Sequence, residues 1–160
     1  MSTVGSYSNP SQGLGGQGDP ADTPGCPTFS SKLRHDFAAP GTTISTAFAN
    51  MYTYSGVGKL IGFVLDFDNN NIQLKLTIDS EIIFDLSVND IQDTQVSLGA
   101  GVDDMSNSGG GPIWNQSDKK ILYQPLCPIV YNADIVIDAK KTTGPDKTLT
   151  RYLINLTKES

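Results

Sequence analysis

Few residues of this chain have the types and spacing that chemistry needs. Its one histidine, His35, stands between Arg34 and Asp36. A histidine acts as a general base when a nucleophile and a pocket accompany it. No Gly-x-Ser-x-Gly occurs, and neither cysteine has a neighbouring histidine. His35 therefore reads as a surface or interface group near the start of the folded body. Gly13-Leu14-Gly15-Gly16-Gln17-Gly18 matches G-x-G-x-x-G, but that fingerprint binds a dinucleotide only between a strand and a helix. Here it sits in a stretch without either pattern. Asp66-Phe67-Asp68-Asn69-Asn70 resembles the opening of a calcium loop, yet Asn71 and Thr77 stand where that loop needs Gly and an acid. A polar hairpin turn is expected instead. Asp103-Asp104 reads as a solvated acidic loop. No catalytic residue, cofactor site or metal site is predicted, and the chain is expected not to be an enzyme.

The two cysteines, Cys26 and Cys127, are too few for a zinc site. Two alternatives stand. They form a disulfide tethering the N-terminal segment to the body, or Cys127 is a small core residue and Cys26 an exposed thiol. Tyr7, Tyr52, Tyr54, Tyr123, Tyr131 and Trp114 raise a further candidate, an aromatic platform for a sugar with Trp114 as a loop contact. Aromatics at strand spacing more often anchor cores or interfaces.

These residues are carried by a chain of 160 residues with 11 Lys+Arg, 17 Asp+Glu and a net charge of −6. An acidic chain lacks the basic footprint for nucleic acid, and anionic membranes are disfavoured for the same reason. The longest apolar run, Leu60–Leu65, is broken by Gly62 and falls far short of the ~20 residues a membrane helix needs. The N-terminus shows no positively charged or apolar export segment. The sequons at Asn115 and Asn155 are accordingly expected to be chance matches.

Residues 1–28 differ from the rest, with Gly, Pro and Ser at half of their positions. Such a segment buries too little apolar surface to offset its ordering entropy alone. It is expected to be an extended arm that docks on a partner, with Tyr7, Leu14, Pro24 and Cys26 as contact residues. Residues 29–160 form the body. Ile72, Leu74, Leu76 and Ile78 alternate with polar residues, and Ile82, Phe84, Leu86 and Val88 do so after the break at Asp79-Ser80. Two alternating runs across a short polar turn predict a β-hairpin. Lys59–Phe67 predicts a central strand. Thr43–Tyr54, Lys120–Tyr123, Pro128–Tyr131, Ala133–Ala139 and Thr148–Thr157 predict the others, with one helical turn within Val88–Gln95. Gly99–Asp118 is expected to be a long polar loop. About eight short antiparallel strands predict an all-β sandwich, an eight-stranded jelly roll with an N-terminal arm. An immunoglobulin-like sandwich is the alternative.

The hairpin Leu74-Lys75-Leu76-Thr77-Ile78-Asp79-Ser80-Glu81-Ile82-Ile83-Phe84-Asp85-Leu86 resembles a recurring stretch of tailed-bacteriophage virion proteins. There a strand ends in an Ile-Asp-Gly turn and resumes as Ile-Phe-Asp-Leu. Ser80 stands in place of the glycine, which suggests a wider turn. Leu122-Tyr123-Gln124-Pro125 through Pro128-Ile129, then Ile135-Val136-Ile137-Asp138-Ala139-Lys140, are similar in style. The resemblance implies a jelly-roll virion component, a head decoration, collar or fibre-anchoring subunit. It implies copies of the chain and other virion proteins as partners, and a place in the virion after assembly in the host cytoplasm. It carries over no catalytic residue. A carbohydrate-binding β-sandwich, with a glycan as ligand, is the alternative function.

Overall fold

A computed structural model describes residues 32–97 and 110–159. The chain divides into two units, Met1–Ser30 and Ser31–Ser160. The described residues of the second form an antiparallel β-sandwich of eleven strands. These are β1 (Lys32–Ala38), β2 (Thr42–Ile44), β3 (Ala49–Ser55), β4 (Gly58–Phe67), β5 (Ile72–Ile78), β6 (Glu81–Ser87), β7 (Pro112–Asn115), β8 (Lys120–Tyr123), β9 (Ile129–Tyr131), β10 (Asp134–Lys141) and β11 (Lys147–Lys158). One helix among the described residues, α1 (Val88–Ser97), follows β6.

Sheet A runs β1-β11-β4-β8-β7, with β2 also on β11 and β9 also on β4. Sheet B runs β3-β10-β5-β6. Four of the antiparallel pairings are nested in the sequence: β5 with β6, β4 with β8, β3 with β10 and β1 with β11. Rolling that nested ribbon up brings β11 against β4 and β10 against β5. This is the jelly-roll order, two Greek keys in two sheets. Eight strands make the roll, and β2, β7 and β9 are short additions; β1 is in the roll although no strand was expected there, and Pro128–Tyr131, expected as a strand, gives the addition β9.

The core follows from alternation. In β5, Ile72, Leu74, Leu76 and Ile78 are buried and the residues between them half-buried. Ile135, Ile137 and Ala139 of β10 meet them from the neighbouring strand. Phe63, Leu65, Ile154, Leu156 and Ile121 close the core from sheet A.

The β5–β6 turn is tighter than expected. Asp79 and Ser80 alone connect the strands, with φ of 51° and 70°. Two successive positive φ angles fit the twist of a two-residue hairpin, so Ser80 takes up strain that a glycine would not feel. Asp79 is held there by its side chain. Its carboxylate accepts the backbone N–H groups of Asn132 (2.7 Å), Ala133 (2.7 Å) and Asp134 (3.1 Å). Those bonds outweigh a small desolvation cost and hold the carboxyl below its ordinary range.

The helix is longer than the expected single turn, at ten residues. Ser87 and Asp90 cap it reciprocally. Ser87 Oγ accepts the Asp90 N–H at 3.2 Å, and Asp90 Oδ2 accepts the Ser87 N–H at 3.0 Å. An aspartate thus plays the part glutamate usually takes in a capping box. Val88 and Ile91 bury the helix on the core.

Candidate interaction surface

The open edge of sheet A is strand β1, which pairs with β11 and, among the described residues, with no strand on its other side. Its inward-facing residues are polar. Asp36 lies opposite the core residue Ile154, and Arg34 opposite Leu156. Arg34 Nε donates to Asp36 Oδ1 at 2.6 Å, and the Tyr52 hydroxyl of β3 donates to Asp36 Oδ2 at 2.6 Å. Partial burial alone would raise the Asp36 carboxyl, but these two hydrogen bonds hold it below its ordinary range. Burial first, then the Asp36 acceptor, push the Tyr52 hydroxyl up. The Arg34 guanidinium sits 4.9 Å from the centre of the Tyr54 ring, a cation–π contact.

Between β1 and β3, the edge strands of the two sheets, these groups line an open cleft of about 640 Å³ with Asn50 and Tyr152. Its polar atoms largely satisfy one another. Asp36 takes bonds from Arg34 and Tyr52, and Asn50 donates to Asp138 at 3.2 Å. The cleft ties the two sheets together more than it presents free groups to a ligand.

The outward side of β1 carries two large apolar residues on either side of His35. Leu33 is 56% exposed and Phe37 67%. Phe37 begins a row that crosses the outer face of sheet A one strand at a time, through Leu153, Val64 and Leu122 to Ile113. At ~4.8 Å between strands the row is about 19 Å long. It is open at Phe37, half-buried through the middle and fully buried at Ile113. Polar rows bound it on either side. On one, Arg151 bonds Asp66 at 2.6 Å, next to Lys120. On the other, His35 Nδ1 lies 2.6 Å from Asn155 Oδ1.

Several expectations meet this geometry differently. His35 lies exposed on β1, as a surface group. Trp114, expected as an exposed loop contact, lies in β7 and is fully buried. The reason is pairing: β7 adds to β8 with Trp114 opposite Ile121, which turns the indole inward. Its Nε1–H donates to Gln116 Oε1 at 2.8 Å. Tyr52, Tyr123 and Tyr131 are likewise buried. Tyr52 packs edge-on against Tyr152, and Tyr54 against Tyr131. Burial pushes the Tyr131 hydroxyl up to about 12, and it donates to the Thr157 carbonyl. The aromatics expected as a sugar platform are thus mostly core, and the glycan alternative loses its surface.

The aspartates of the calcium-like stretch serve the fold. Asp66 pairs with Arg151, and Asp68 Oδ1 accepts the Thr148 N–H at 3.0 Å. Among the described residues no group of three or more His, Cys, Asp or Glu could hold a metal ion. No helix among them is long and apolar enough to cross a membrane. Cys127 is disulfide-bonded, while Cys26 lies outside the described residues. So do Tyr7, Leu14 and Pro24 of the proposed arm, the glycine motif at 13–18 and Asp103-Asp104.

Strand β1 itself was not legible in the sequence. Lys-Leu-Arg-His-Asp-Phe-Ala alternates, but with charges inward and apolar residues outward, the inverse of the usual signal. The alternation of Leu33 and Phe37 around His35 was the clue available.

No family model and no curated protein matches the chain. Among solved structures it is similar to a chain of the Aeromonas sobria serine protease and chaperone complex, at 8% identity and a TM-score of 0.40, covering 81% of this chain and 28% of that one. It is similar to the Aeromonas sobria serine protease alone at 8% identity and a TM-score of 0.39, over 80% of this chain and 27% of that one. The chain thus spans under a third of either structure's length, and a likeness this distant carries no argument about function.

Proposed function

We propose that this chain is a structural protein of a tailed-bacteriophage virion, a jelly-roll subunit that assembles on a head, collar or tail. The observation that carries the proposal is the apolar row from Phe37 to Ile113 on the outer face of sheet A. An antiparallel sheet that faces water normally alternates apolar inside with polar outside. The row's open end, Phe37 with Leu33 on the same strand, is exposed apolar surface of the kind that another protein covers. The likeness of the β5–β6 hairpin and of residues 122–129 and 135–140 to virion proteins supplies the setting. Residues 1–28 are the arm that reaches a neighbour, and the partners are copies of the chain and other virion proteins.

The test is incorporation into particles. Deleting residues 1–28 is expected to leave the β-type circular dichroism spectrum in place and reduce incorporation to background. Leu153→Asp, at a half-buried position of the row, is expected to do the same. Normal incorporation of the truncated chain would overturn the role of the arm. Normal incorporation of folded Leu153→Asp would overturn the role of the row.

A further inference from the structure

The geometry points to a second contact: two copies of the chain join through antiparallel pairing of their β1 strands, with the two-fold axis at His35. This goes beyond the arm, because the contact lies wholly within residues 32–38 and stands without residues 1–31. A two-fold interface must be self-complementary, with each residue meeting its reciprocal on the other copy. Strand β1 has that property by sequence. Antiparallel pairing centred on His35 sets Leu33 opposite Phe37 and Arg34 opposite Asp36, each twice over. On the outer face apolar meets apolar on either side of the two exposed His35 side chains, and on the inner face cation meets anion.

The structure leaves these groups ready for it. Leu33 and Phe37 are the most exposed apolar residues of sheet A's edge, at 56% and 67%. Arg34 and Asp36 already pair, at 2.6 Å, two positions apart on one strand. The guanidinium is 45% exposed there, so it can turn to the partner's carboxylate without leaving a buried charge. Residues directly opposite across an antiparallel pair bring their Cβ atoms within ~4.5–5.5 Å, close enough for both kinds of contact.

Edge strands that must stay single are short, bulged, covered, interrupted by proline or guarded by charges, inward-pointing ones included. The other edge of the same sheet, β7, is guarded: it has four residues and opens with Pro112. Strand β1 has one such guard, the inward Arg34 and Asp36, and these neutralise each other at 2.6 Å; it has seven residues, no proline and two large apolar side chains outward. Pairing would also carry the apolar row of one copy onto Leu33 of the other.

The experiment is a charge swap in the full-length chain, read as mass by sedimentation equilibrium. Wild type is expected to associate as a dimer or a multiple of one. Arg34→Glu opposes two carboxylates, and Asp36→Lys opposes two cations. Each alone is expected to weaken association about tenfold or more. In their equimolar mixture an acid again faces a base at both places where positions 34 and 36 meet. One of these pairs is formed by the two substituted side chains, the other by the native Arg34 and Asp36. The mixture is expected to recover the wild-type mass. Because Asp36 also accepts from Tyr52, a second pair of variants keeps the test open to refutation. Leu33→Glu and Phe37→Lys, both at exposed positions, are expected to lose association singly and regain it when mixed. A monomeric wild type, or single variants with wild-type mass, or mixtures that do not reassociate, would overturn the proposal. If only deletion of residues 1–28 lowers the mass, the arm assembles the chain and β1 does not.

Discussion

Sheets A and B are built from the same period-two pattern but present opposite outer faces. Across sheet B, Asn50, Asp138, Lys75 and Asp85 stand in one register row, one per strand. Lys75 pairs with Asp138 at 3.3 Å, and Gln73 donates to Asp85 at 2.7 Å beside them. Along that row the polar groups are matched to each other, while Ile82 and Ile83 stand exposed farther along β6. Across sheet A the corresponding row is Phe37, Leu153, Val64, Leu122 and Ile113. The two sheets also differ in how local their pairing is. Sheet B centres on a hairpin with a two-residue turn. Sheet A centres on β4 and β11, far apart in sequence. Both carry register shifts. One outer face carries a charged and polar row, and the other an apolar one.

The largest effect should come from breaking sheet A at its tightest point. A Cβ on Gly58 would lie 2.0 Å from the Thr157 carbonyl oxygen and 2.6 Å from the Tyr131 hydroxyl. Backbone cannot yield there without parting β4 from β11. Gly58→Ala is expected to destabilise by about 3 kcal/mol or more, measured by urea unfolding. A loss under ~1 kcal/mol would mean that sheet A is less rigid than its packing implies.

Next comes the clamp that ties the hairpin of sheet B to the β9–β10 connection. Asp79→Ala removes the acceptor of three backbone N–H groups and should lower the melting temperature at neutral pH. The sign is set by the lowered folded pKa. The contribution is complete above the unfolded carboxylate value of about 3.9. It is lost as the pH falls through the folded value below that. The gap between wild type and variant should therefore be widest near neutrality and close in strong acid. A gap that does not change with pH would show that the carboxylate charge is not what holds the turn.

The smallest effect sharpens the comparison in the other direction. Ser80 has a φ of 70°, a conformation that disfavours any side chain. Ser80→Gly is expected to stabilise by about 0.5–1 kcal/mol, and unchanged or lower stability would show that the serine makes a compensating contact.

The contrast also explains what could be read in advance. Strands β5, β10 and most of β11 were legible because each buries one face and wets the other, which writes the period into the residues. Strand β6 was legible too, although it only half-buries Phe84 and Leu86 and leaves Ile82 exposed beyond a register shift. A jelly roll was expected from the strand count and one long connection, while its strand order rests on pairings between segments far apart in sequence. Strand β1 was missed because Arg34 and Asp36 point inward toward Tyr52 and Tyr54, reversing the pattern. Strand β7 was missed because four residues are too few for a period, and Gly and Ser surround them. Trp114 was misplaced for the same reason. No local signal says that an indole beside a glycine-rich stretch pairs opposite Ile121.

The sequence by itself determined the class of fold, the central strand Lys59–Phe67 and the hairpin at Asp79-Ser80. These rest on side-chain alternation and turn residues, which act between near neighbours along the chain. Only the tertiary structure decided which residues form a surface. The row from Phe37 to Ile113 draws one residue from each of five strands, and the Asp36–Tyr52 bond joins two sheets. Such contacts depend on register between segments far apart in sequence, and one residue of slip would turn every side chain of a strand to the opposite face.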